Sequence, residues 1–131
     1  MHPTLFLRRV LGLDALSCLG IGALLGMAST PLAPAFGLPA ELLFWAGIVL
    51  LPIAAFMGFL ATRQAPPPLL VWIVILGNLG WVIESFVVIG QLGASITPLG
   101  TSFVAMQALA VLGLAGLEYI GLRRSRGAVA A

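Results

Sequence analysis

Leu69-Leu70-Val71-Trp72-Ile73-Val74-Ile75-Leu76-Gly77-Asn78-Leu79-Gly80-Trp81-Val82-Ile83-Glu84-Ser85-Phe86-Val87-Val88-Ile89 is an unbroken apolar run with one charge and no proline. As an α-helix, at 1.5 Å per residue, it extends about 31 Å, the thickness of a bilayer's hydrocarbon core. Proline and glycine punctuate the chain on either side of it. Arg63-Gln64-Ala65-Pro66-Pro67-Pro68 precedes the run and Gly90-Gln91-Leu92-Gly93-Ala94-Ser95-Ile96-Thr97-Pro98 follows it. Beyond these breaks lie three further windows of similar length: Val10 to Ser29, Leu42 to Ala61 and Leu99 to Leu122. Thr30-Pro31-Leu32-Ala33-Pro34-Ala35-Phe36-Gly37-Leu38-Pro39 separates the first two and is expected to be a turn.

Composition carries the same message across all 131 residues: 61% are hydrophobic and 8% are charged. An ordinary soluble domain carries about 25% charged residues, so a water-soluble fold is excluded. The expected architecture is a single all-α membrane domain over residues 1–131, an up-down four-helix bundle with spans at about 10–29, 42–61, 69–89 and 99–122. The short, proline-stiffened break at Pro66-Pro67-Pro68 makes the second and third spans antiparallel neighbours.

All six basic residues are arginines, and they stand only where apolar segments end. Arg8 and Arg9 precede the first span, Arg63 follows the second, and Arg123, Arg124 and Arg126 follow the fourth. With an even number of spans they fall on one side, which by the positive-inside rule is the cytoplasm. A basic patch for nucleic acid is not formed, and the bilayer is the expected partner. The expected setting is a membrane crossed by several passes. Trp45, Trp72 and Tyr119 fall near span ends, as interfacial aromatics do, whereas Trp81 is expected to pack. Arg8-Arg9, the apolar run and Ala33-Pro34-Ala35 follow the order of a secretory signal. The run exceeds the usual 7–15 residues and holds Asp14, so it is expected to remain as a span.

An ionisable group inside a bilayer costs about 2.5–3.5 kcal/mol even on lenient insertion scales, so the few polar residues within the spans are where function is sought. Asp14 lies five residues after Arg9, and Glu118 five before Arg123. Each acid then sits about 7 Å deeper than its nearest arginine, so the two share one depth and are expected to form a belt of ion pairs with Arg8, Arg9, Arg123 and Arg124 at the cytoplasmic edge, the alternative being a proton- or substrate-handling role. The third span carries a polar stripe. Asn78, Trp81 and Ser85 share a face at spacings of three and seven, and Glu84 lies at its edge. Gln107 on the fourth span reaches a similar depth. Glu84 is expected to point into the bundle or into a subunit interface, because facing lipid is unfavourable.

Small residues supply close packing: Cys18, Gly22, Gly26 and Thr30 recur every four positions, and Ala54 and Gly58 repeat the spacing. Pro52 sits inside the second span and frees the carbonyl of Ile48. Thr97-Pro98 has the form of an N-cap followed by proline at the first helical position, and Glu41 sits near a helix start. Cys18 is the single cysteine, so no intrachain disulfide is possible. His2 is the single histidine and lies outside the spans, so a multi-histidine metal site or a serine triad cannot be built within one chain. Neither a cofactor nor an enzymatic activity is expected.

The run Arg8 to Ala15, the stretch Asn78 to Ser85, and Thr97 to Gly100 leading through Gln107-Ala108 to Leu117-Glu118-Tyr119-Ile120-Gly121-Leu122-Arg123-Arg124 resemble a group of small bacterial inner-membrane proteins. The resemblance covers most of the chain and implies a four-helix membrane protein with no attached activity. Size and Asp14 also resemble the small multidrug resistance transporters, but the rest of the pattern departs from theirs. Two function classes are expected. One is a non-enzymatic accessory or scaffold protein that binds a partner membrane protein, a second copy of itself or a hydrophobic ligand. The other is a minimal proton-coupled exporter working as an oligomer, with Glu84 or Asp14 as carrier. Reporter fusions within Gln64 to Pro68 and after Arg126 should both read as cytoplasmic, and one at Ala35 as external; an external reading after Arg126 would defeat the four-span reading.

Overall fold

Pro31 sets the first departure from a plain hairpin series. Its ring excludes a helical hydrogen bond to the carbonyl of Met27, four residues back, and the first helix ends there. In the computed structural model, residues 4–130 are described, with side chains as far as residue 125; His2 and the side chain of Arg126 lie outside them. Five helices form among the described residues, and no strand does: α1 (Leu5–Met27), α2 (Ser29–Phe36), α3 (Ala40–Thr62), α4 (Pro68–Gln91) and α5 (Pro98–Ala130). The stretch expected as a turn therefore contains α2. Helix resumes after one residue because Pro31 falls in the first turn of α2, where its missing N–H has no intrahelical partner to lose.

The long helices α1, α3 and α4, with residues Pro98–Ser125 of α5, are apolar and long enough to cross a membrane. They suit a multi-pass membrane protein. The α1 helix begins five residues before the expected Val10, which places Arg8 and Arg9 within it and moves Asp14 more than a turn further along it. Pro67 and Pro68 occupy the cap and first helical positions of α4, and α3 runs through Pro52 without a break.

Around the bundle the order is α3, α1, α5, α4, each helix antiparallel to its packed neighbour. Among the four long helices the tightest seam joins α1 to α3 at glycine. A methyl group added at Gly47 would stand 2.5 Å from Gly26 N and 2.6 Å from Gly22 O, so the two backbones touch where no side chain fits. Further along this seam Ala15 faces Gly58, and Arg8 Nε donates to the carbonyl of Ala61 at 3.1 Å. Between α1 and α5 the close approach is at Gly121, against the backbone of Leu7. By contrast, α3 and α4 meet only slightly, although a short linker joins them. The two share the core at the linker end through Met57, Leu60 and Val71, and beyond it they separate, because α1 binds α3 and α5 binds α4 away from each other.

Apolar cores occupy both ends of the bundle. Leu7, Leu11, Met57, Leu60, Val71 and Leu122 fill the end that carries the arginines. Leu25, Phe36, Leu38, Leu43 and Val104 fill the opposite end, which α2 covers. Gly37 closes α2 in the left-handed conformation, φ 68°, with Leu38 N donating to Ala33 O at 3.1 Å. Thr97 then clasps α2 to α5: its N–H donates to Phe36 O at 2.9 Å and its hydroxyl to Ala35 O at 2.6 Å. The same hydroxyl accepts the N–H of Gly100 at 3.0 Å as the N-cap of α5. Phe36 stacks on Phe103 with ring centroids 4.8 Å apart. Gly47→Leu should lower thermal stability in detergent by an overpacking cost of about 1–3 kcal/mol. Gly113→Ala, in open space on α5, should be neutral or stabilising; equal losses in both variants would remove the special role of the seam.

Candidate functional site

Between the two apolar cores lies a buried polar cluster contributed by three helices. Asp14 of α1, Asn78 of α4 and Glu118 of α5 are 1%, 7% and 0% exposed. The Asn78 side-chain amide spends both its hydrogens on the acids: Nδ2 donates to Asp14 Oδ2 at 2.8 Å and to Glu118 Oε1 at 2.9 Å. Cys18, one turn beyond Asp14 on α1, donates its thiol to Asp14 Oδ1 at 3.7 Å. Glu118 Oε2 is buried without a partner among the described residues. The cluster stands about nine residues, or roughly 14 Å, along α1, near mid-height in the bundle.

The arginines are engaged elsewhere. Arg8 bonds the Ala61 carbonyl, Arg124 lies over the Phe6 ring at 4.9 Å, Arg123 over Tyr119 at 5.8 Å and Arg63 over Phe59 at 5.5 Å. Arg9 is exposed. Among the described residues no ion pair joins Arg8, Arg9, Arg123 or Arg124 to Asp14 or Glu118, so the expected belt is replaced by an interior cluster. Helix geometry is the reason: five residues on a continuous helix put Arg9 about 140° around the axis from Asp14, and Arg123 likewise from Glu118, so the acids face the interior while the arginines turn outward to water or to aromatic faces.

The stripe on α4 divides in two. Asn78 joins the acids, while Trp81 and Ser85 join Gln107 of α5. Trp81 Nε1 donates to Gln107 Oε1 at 2.8 Å, and Gln107 Nε2 donates to Ser85 Oγ at 2.9 Å and to Val104 O at 2.8 Å. Ser85 Oγ passes its own hydrogen to Trp81 O at 2.8 Å, so every polar group in this second cluster has a partner. Glu84 is not brought into either cluster and is exposed on the single chain.

Where α3 and α4 splay apart, two cavities open. The first, about 200 Å³, is lined by Asp14, Cys18 and Asn78, and by Ile53, Phe56 and Ile73. The second, about 290 Å³, reaches toward the α2 end past Trp45, Glu84, Ser85 and Phe103. Ile21, Trp81 and Gln107 line both. Ile53 and Ile73, on opposite walls of the first cavity, are 37% and 52% exposed, so it opens sideways between α3 and α4. Together the volumes reach the range of small-molecule pockets, about 300–1,000 Å³. Among the described residues no group of three or more histidine, cysteine or acidic side chains is arranged to hold a metal ion.

The contribution of Cys18 to the acid cluster has a signal in the sequence, its position four residues after Asp14. The meeting of Asp14, Asn78 and Glu118 has none, because it depends on which helices are neighbours. The chain matches no protein-family model, and no curated protein or solved structure is significantly similar to it.

Replacing Asn78 with leucine removes both amide bonds while keeping volume, and leaves two acids with their donor gone. The expected loss is about 1–3 kcal/mol in detergent unfolding. Asp14→Asn and Glu118→Gln should each shift stability, and their effects should not add, because both act through Asn78. Additive effects in the double variant would show that the acids do not share a network.

Proposed function

We infer that this chain is a multi-pass protein of a bacterial inner membrane, with its arginine-bearing face in the cytoplasm, and that it binds a hydrophobic ligand in the cleft between α3 and α4. The cleft is the observation that carries this reading. Two helices consecutive in the chain leave their facing surfaces unpacked over mid-span, and the space between them is apolar on its walls and polar at its back, where Asp14, Asn78, Trp81 and Gln107 stand. Such a site suits a lipid-derived molecule with an apolar tail and one hydrogen-bonding head, entering sideways from the bilayer past Ile53 and Ile73. The function is that of a non-enzymatic accessory protein, holding or presenting this molecule. The six-to-none distribution of arginines supports the orientation.

A proton-coupled exporter is the second reading, favoured by the position of Asp14, an acid on the wall of the cavity itself. The two readings separate in proteoliposomes: the accessory reading expects no pH-driven flux, and flux that disappears with Asp14→Asn or Glu84→Gln would favour the exporter. For the ligand itself, native mass spectrometry after extraction in mild detergent should find a retained lipid-class molecule at about one per chain. Gly77→Phe adds a ring at the wall of the first cavity, where the glycine has nothing within 4 Å, and should remove that molecule without unfolding the protein. Met106→Phe, on an exposed part of α5, should leave it bound. Identical retention in the parent and Gly77→Phe would count against the cleft as the site.

A further inference from the structure

We propose that Asp14, Asn78 and Glu118 form a proton-binding site inside the bundle, in which one proton is held between the two carboxyl groups beside the Asn78 amide. The count of donors carries the proposal. Four carboxyl oxygens meet here, and three have partners: Asp14 Oδ2 and Glu118 Oε1 on Asn78, and Asp14 Oδ1 on Cys18. Every one of those donors is neutral. The fourth oxygen, Glu118 Oε2, is buried and has none. Because both acids bond one nitrogen, their bonded oxygens are at most two hydrogen-bond lengths apart. Two full negative charges at that separation, buried and without an ion pair to any described arginine, are electrostatically unsupported.

One proton relieves this. Held on Glu118 toward Asp14, whose side chain is within hydrogen-bonding reach, it turns the like-charged pair into an acid and its conjugate base, as in carboxyl dyads that share a proton. The Asn78 amide and the Cys18 thiol then support the single remaining charge. Asp14 and Asn78 also line the first cavity, whose volume of about 200 Å³ has room for several waters, so the proton has a place from which to arrive. The site borders the cleft proposed above, but its hydrogen bonds are made by side chains of α1, α4 and α5 alone and require no ligand.

The acid inventory makes the test direct. The chain has four acidic side chains, Asp14, Glu41, Glu84 and Glu118. In a Glu41→Gln/Glu84→Gln background the pair is therefore the only source of a side-chain carboxyl signal. Infrared spectra of this protein in phosphatidylcholine vesicles at neutral pH should contain the deuterium-sensitive carbonyl stretch of a protonated carboxylic acid, with an intensity of about one group per chain. It should vanish when Asp14→Asn and Glu118→Gln are added, with helix content unchanged by circular dichroism. Should that quadruple variant fail to fold, the band in the background protein still decides. Its absence at neutral pH overturns the proposal, and so does a band that survives in a folded quadruple variant. Stabilisation of the background protein by sodium chloride over choline chloride, lost with Asp14→Asn, would also overturn it by assigning the site to a sodium ion.

Discussion

A single side-chain amide ties the bundle together at mid-height. Asn78 is the only described contact by which α4 is hydrogen-bonded to α1, and it reaches α5 with the same nitrogen. In an apolar surrounding such bonds fix which helices meet and at what height far more sharply than interchangeable leucine and valine contacts can. Sliding α4 by one turn would leave both acids without their amide. The register of three helices therefore hangs on a residue that along its own helix looks like an isolated polar interruption.

The rest of the packing divides the labour. Glycine brings α1 and α3 into backbone contact through Gly22, Gly26 and Gly47, where dispersion acts over a close surface. The pair α4 and α5 is held instead by Trp81, Ser85 and Gln107, and by Trp72 against Tyr119 with centroids 5.7 Å apart. The two pairs meet through α1 and α5 and through the Asn78 amide, whereas α3 and α4 barely touch. Space is consequently left along the line where α3 would have met α4, and the polar back wall of that space is made of the same residues that set the register.

The spans were legible because length and composition admit little else: an apolar stretch of bilayer length between proline breaks has one stable form when water is absent. The capping of α5 by Thr97 was legible too, since Thr-Pro at a helix start is a local signal. Shifts came from features that act across residues or helices. A proline in the first turn of a helix carries the same letter as a proline in a loop, so α2 was hidden within Thr30 to Pro39. The start of α1 at Leu5 was hidden because arginines inside a helix end resemble arginines before it, and the belt failed because a spacing of five puts acid and arginine on different faces of one helix. Trp81, Ser85 and Gln107 share a depth that counting along two helices gives correctly. The company of Asn78 does not follow from counting, because helix order around a bundle is a property of the whole.

The clasp between α2 and α5 has a mechanical consequence. The cleft is bounded at one end by the covalent Pro66-Pro67-Pro68 strut and at the other by Thr97 bonded to the carbonyls of Ala35 and Phe36, with α2 leaning on both α3 and α5. A strut with three prolines resists bending, whereas a clasp made of two hydrogen bonds and one stacked ring pair releases with far less work. Compliance is thus concentrated at the α2 end. If α3 and α4 part to admit anything wider than the present gap, they do so as tweezers do, pivoting at the prolines, and α2 is the catch that sets how stiffly they close.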